Sequence, residues 1–142
     1  MISLLILFAS GVAYSQTQSP AGLWKTLSDK KGEAESLVRI IEVNGEFQGK
    51  VETIFSPPAP TSNPVCDQCK GELKDKPIIG MKILTGLRRK GEEFTGGTIL
   101  DPDEGETYKC TIRLIDGGAK LEVRGYIGIS LFGRTQTWLR QD

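Results

Sequence analysis

The chain has 142 residues, enough for one domain with a modest core. Its 18 Lys and Arg balance its 18 Asp and Glu, which leaves no global charge to draw in nucleic acid or an anionic lipid surface. Histidine is absent, so no side chain has an unperturbed pKa near neutrality, and imidazole acid–base and metal chemistry are excluded.

Residues 1–24 carry no charge. Within them an apolar stretch from Ile2 to Ala9 precedes Ala13-Tyr14-Ser15, whose small first and third residues suit signal-peptidase cleavage before Gln16. The apolar run is too short for a stable membrane span. The expectation is a signal peptide over residues 1–15 and a single exported domain over 16–142, although no Lys or Arg precedes the run. The alternative is a buried N-terminal strand or helix.

Beyond the leader, period-two alternation dominates and helix-period segments of useful length are missing. Strands are expected at residues 23–27, 37–43 and 46–54, the last two joined by Asn44-Gly45, with Phe47, Val51 and Phe55 on one face. A further pair covers residues 81–88 and 93–100, turning at Lys90-Gly91. In residues 107–114, Tyr108, Cys110, Ile112 and Leu114 alternate with polar residues. Asp116-Gly117-Gly118 then leads into a strand at 119–125. The last strand is 133–140. The reading is all-β: an up-and-down antiparallel barrel of about eight strands, with first strand paired to last and Gly49, Gly86, Gly96, Gly97 and Gly125 supplying bends. One long proline-rich connection, residues 55–77, carries Cys66-Asp67-Gln68-Cys69 and should lie across one end.

Several stretches together resemble the bacterial exported DUF2147 domain, which is similar to the lipocalin/calycin barrels. They are Gly22-Leu23-Trp24, Leu37-Val38-Arg39-Ile40, Asn63 to Cys69, Lys76 to Met81, Gly96 to Pro102, Tyr108-Lys109-Cys110, Val123 to Gly128 and Gly133 to Trp138. The resemblance spans nearly all of the mature chain and implies a β-barrel and a periplasmic or secreted location, without implying an activity. In lipocalins the Trp of the Gly-x-Trp opening packs at the closed end beneath a late basic residue. Trp24 matches the first, and Arg140 or Arg134 the second.

In an oxidising compartment Cys66 and Cys69 suit a structural disulfide. A redox pair would want a helix N-terminus in a βαβ setting, and zinc would need Cys110 or Asp67 without any histidine. Cys110 should be a buried small hydrophobe. No catalytic residue, cofactor or metal site is assigned.

Arg134, Gln136, Trp138 and Arg140 share one face of the last strand. If Trp138 points inward, Arg134 and Gln136 enter the same space, where an arginine could grip an anionic head group while apolar walls hold the rest. The candidate ligand contacts are Arg39, Tyr108, Tyr126, Arg134, Gln136 and Trp138, with Phe47, Val51, Ile83, Ile112, Leu121 and Val123 as further walls. The competing reading pairs these arginines with Asp or Glu, or stacks them on Trp24. Residues 125–133, from Gly125 to Gly133, either fold over the mouth or form an apolar patch for a membrane or protein partner. Residues 101–106 read as a solvated acidic turn. Two functions stand: a lipocalin-like binder of a small amphipathic or hydrophobic molecule, which the arginines would make anionic, or a filled barrel serving as a structural or partner-binding envelope module.

Overall fold

The computed structural model describes residues 18–55, 63–129 and 132–142; the expected signal peptide lies outside them. Eight strands follow in order: β1 Gly22–Leu27, β2 Ala34–Val43, β3 Glu46–Ile54, β4 Lys82–Lys90, β5 Glu93–Asp101, β6 Glu106–Ile115, β7 Lys120–Tyr126 and β8 Gly133–Arg140. Each pairs antiparallel with the next, and β8 returns to β1 through Trp24 opposite Arg140 and Lys25 opposite Leu139. The sheet is a closed barrel and has no free edge.

The alternation in each strand decides which side chains enter. Trp24, Val38, Ile40, Phe47, Val51, Ile112, Leu121, Val123 and Trp138 are buried inside. Charged residues between them stay outside and pair across strands, as in Arg39–Glu52 at 2.6 Å and Arg113–Glu122 at 3.2 Å. The β2–β3 hairpin turns on Asn44 and Gly45, both with positive φ (52° and 80°), as a tight two-residue turn requires. Phe55 departs from the alternation. It follows the last residue of β3, leaves the sheet there and is half exposed instead of lying with Phe47 and Val51.

The two ends of the barrel differ. At the end carrying the β2–β3, β4–β5 and β6–β7 turns, the interior is filled by Trp24, Ile40, Leu84, Leu87, Phe94 and their neighbours. Phe47 and Phe94 meet edge to face there, with ring centroids 4.9 Å apart. Arg140 seals this end: its guanidinium lies 4.4 Å from the Trp24 ring centroid and donates to the carbonyls of Ser19, Ala21 and Gly118. Gly22 is required beside it, because φ is +143° and a Cβ would sit 2.6 Å from Arg140 Nη1.

The opposite end carries the β1–β2, β3–β4, β5–β6 and β7–β8 connections. In the long β3–β4 connection Cys66 and Cys69 form a disulfide, Val65 bridges to Pro77, and Gly71–Leu73 make a single 3-10 turn. This stapled segment packs on the β5–β6 turn. Cys66 Sγ contacts Pro102 O at 3.4 Å, and a Cβ on Gly105 would lie 1.9 Å from Gln68 O. Only glycine, here at φ +72°, permits that approach.

Candidate functional site

Because the bulky rings crowd the closed end, the open half of the barrel is hollow. A cavity of about 1070 Å³ opens between the loops. Its walls are Val51 of β3, Ile83 of β4, Ile99 of β5 and Val123 of β7, with Trp138 deepest on β8. Pro64 and Ile78 of the stapled connection close one side. Cys110, which the alternation also turns inward, is fully buried and unpaired. Burial pushes its thiol up to about 12, so it is protonated and unreactive at neutral pH.

Of the residues expected to meet a ligand, Tyr108, Tyr126, Arg134, Gln136 and Trp138 all line this one cavity. Arg39 does not. Val38 and Ile40 turn inward, so Arg39 projects outward, bonded to Glu52 and 3.8 Å from Asp142. Phe47, Ile112 and Leu121 belong to the packed closed half and are not cavity walls, whereas Val51, Ile83 and Val123 are. Trp24 and Arg140 lie at the sealed end, so Arg140, not Arg134, is the base over the Trp.

A polar ladder climbs β8 from floor to mouth. Trp138 Nε1 donates to Gln136 Oε1 at 3.2 Å, and Gln136 Nε2 donates to Asp29 Oδ1 at 3.1 Å. Asp29 also holds Arg134, Nη1 to Oδ2 at 3.0 Å, while Asp101 lies 3.8 Å from Arg134 Nη2. Arg134 is therefore paired with carboxylates at the rim instead of reaching alone into an apolar space. The Tyr108 hydroxyl donates to Glu104, and that bond holds its phenol above the ordinary value.

The sequence reading missed the character of the mouth. Asp29 and Glu35 from one side meet Asp101, Asp103 and Glu104 from the other, so the acidic stretch at 101–106 is a part of the rim as well as a turn. Asp101 shapes that turn by accepting the Asp103 amide at 2.9 Å. Burial, and then Asp103, Asp101 and Asp29, raise the Glu35 carboxyl, against a lowering by Arg134; burial and then Asp101 and Glu104 raise Asp103. These groups come from two connections and the strand ends beside them, Glu35 near the start of β2 and Asp101 at the end of β5, and no periodicity within a strand encodes that meeting.

Beside this rim stand Ile127, Ile129 and Phe132, exposed by 69%, 57% and 73%. The 125–133 connection thus lies at the mouth and presents apolar side chains to solvent; Ser130 and Leu131 fall outside the described residues. Among the described residues no group of three or more Cys, Asp or Glu is arranged to hold a metal ion.

The family model for DUF2147, described as an uncharacterized protein conserved in bacteria, matches residues 22–140. The chain belongs to the DUF2147 family. That match begins at the Gly22 of the Trp24 corner and ends on Arg140, so it takes in all eight strands and both ends of this DUF2147 barrel. Among solved structures it is similar to protein HP1028 from Helicobacter pylori, described as belonging to the lipocalin family. The TM-score is 0.75 at 20% identity, over 87% of this chain and 84% of that one. Such a likeness is one of fold. No curated protein matches the chain.

Proposed function

We propose that this DUF2147 barrel is an exported, non-catalytic container that binds a small hydrophobic or amphipathic molecule in its open half. The observation that carries the reading is the division of the interior. Large rings fill one half, while the other keeps a cavity of about 1070 Å³ walled by Val51, Ile83, Ile99 and Val123 under a polar rim. Apolar walls with a few convergent polar groups at the entrance are what small-molecule sites share. A barrel folded only to be solid would have no use for that asymmetry.

Non-catalytic binding is supported by the chemistry left over. The Cys110 thiol is buried and protonated, and the other two cysteines are joined in a loop without a helix to activate them. Export is supported by the uncharged apolar stretch at residues 2–9, the Ala13-Tyr14-Ser15 site and the disulfide, which persists in an oxidising compartment such as the periplasm or the extracellular medium.

Native mass spectrometry of the protein recovered from the bacterium that encodes it tests this reading. The expected result is a species heavier than the mature chain by one small molecule. A bare mass, together with failure to take up any apolar probe, would overturn it.

A second reading is favoured by one observation, the exposure of Ile127, Ile129 and Phe132 beside the mouth. A membrane or partner protein would then dock on residues 125–133. Polar substitution of these three residues would abolish capture of that partner and leave cavity binding intact; loss of neither would dismiss it.

A further inference from the structure

We infer that the ligand is an organic cation with an apolar body, its ammonium or guanidinium head held at the carboxylate rim and its tail among the cavity walls. This rests on the container reading above and adds the sign of the head group. The charge count at the mouth carries it. Asp29, Glu35, Asp101, Asp103 and Glu104 supply five carboxylates from the β1–β2 turn, β2, the end of β5 and the β5–β6 turn. Facing them are Lys30 and Lys31 on the β1–β2 turn and Arg134 on β8.

Arg134, the one strand cation lining the cavity among the described residues, already spans Asp29 and Asp101 at 3.0 and 3.8 Å. An incoming carboxylate would have to displace those partners and then face the remaining acids. An incoming ammonium meets the reverse situation. Glu35 lines the cavity half-buried and close enough to Asp29, Asp101 and Asp103 to feel all three. A monocation seated among them relieves that repulsion and gains charge-assisted hydrogen bonds in a partly desolvated site.

Below the rim the walls are apolar, so the rest of the molecule must be greasy. The absence of a metal-competent cluster among the described residues favours an organic cation over an inorganic one.

The test is competition for the neutral fluorophore N-phenyl-1-naphthylamine by three probes sharing one tail: dodecylammonium, dodecanol and dodecanoate. At neutral pH and low salt, dodecylammonium should displace the fluorophore roughly tenfold more tightly than dodecanoate, a gap that narrows as salt screens the rim. In the double variant Glu35→Gln, Asp103→Asn, the ratio of dodecylammonium to dodecanol affinity should fall toward one. Each variant is first checked for a native circular-dichroism spectrum. If dodecanoate binds as tightly as dodecylammonium, the cation inference is overturned and the container reading stands. If the naphthylamine itself does not bind, the container reading falls and this inference with it.

Discussion

The Arg140 guanidinium lies over the Trp24 ring, 4.4 Å from its centroid, while its three nitrogens donate to three carbonyls from two separate segments. It joins the last strand to the 18–21 segment and to the β6–β7 turn, and so holds the floor on which the cavity rests. A guanidinium can stack and fork at once; an ammonium cannot. Arg140→Ala should therefore cost about 2–4 kcal/mol in urea unfolding, through the lost stacking and the unpaired carbonyls. Arg140→Lys should recover only a minor part of it. Equal stability of all three proteins would show that the seal is ornamental.

Cys110 provides a check on the packing of the closed half. With its thiol pushed up to about 12 by burial, it should resist iodoacetamide in the native protein at neutral pH and react fully in urea. The sign of the linkage is fixed. A thiol raised in the folded state contributes stability that is complete below its unfolded pKa and is lost as the pH climbs toward the folded value. The melting temperature should thus fall between roughly pH 9 and pH 12 more steeply in the wild type than in Cys110→Ala. Rapid native labelling, followed by mass spectrometry, would contradict the buried placement.

Closing so short a loop, the Cys66–Cys69 bond can contribute at most about 2 kcal/mol by chain entropy. Its effect should be local. The Cys66→Ser, Cys69→Ser variant should melt only slightly lower but become sensitive to protease between residues 63 and 81. It should also release a bound probe faster, because Pro64 and Ile78 line the cavity from this segment. An unchanged off-rate would separate the staple from the site.

The raised carboxyls of Glu35 and Asp103 predict a pH dependence of the empty protein. A carboxyl raised on folding supports stability fully at pH values below its ordinary range, and that support fades as the pH rises through the folded value. Glu35→Gln and Asp103→Asn should then raise the melting temperature at neutral pH, with the advantage disappearing in acid. Glu35 is partly buried and Asp103 is exposed in the open mouth, so solvent screening keeps the gain small. A variant less stable than wild type at neutral pH would mean that these carboxylates are held by partners and not strained by neighbours.

The barrel itself was legible because its information is local. Alternation places Cys110, Ile112 and Leu121 inside, Asn44-Gly45 marks a hairpin, and the expected strands lie within a few residues of their observed limits. Arg39 was misassigned for an equally local reason: Leu37, Arg39 and Ile41 do share a face, but it is the outer one, since Val38 and Ile40 form the inner face. Within β8 the alternation brought Arg134, Gln136 and Trp138 together correctly, yet it said nothing about Asp29 and Asp101, which complete the ion pairs. Those arrive from the β1–β2 turn and the end of β5, far apart in the chain, and only the closed topology makes them neighbours. The acidic mouth was therefore invisible, and the sign of the expected head group was drawn from the arginine alone.

Whether the open half is a container is tested most directly by filling it. Val123 is buried, points inward from β7 and lines the cavity, so Val123→Trp should occupy the space a ligand would take while the closed half stays packed. In a titration with N-phenyl-1-naphthylamine, the wild type should show saturable binding of one probe per barrel, and a folded Val123→Trp protein should show none. Saturable binding that survives in the filled barrel, or is absent from the wild type, would contradict it.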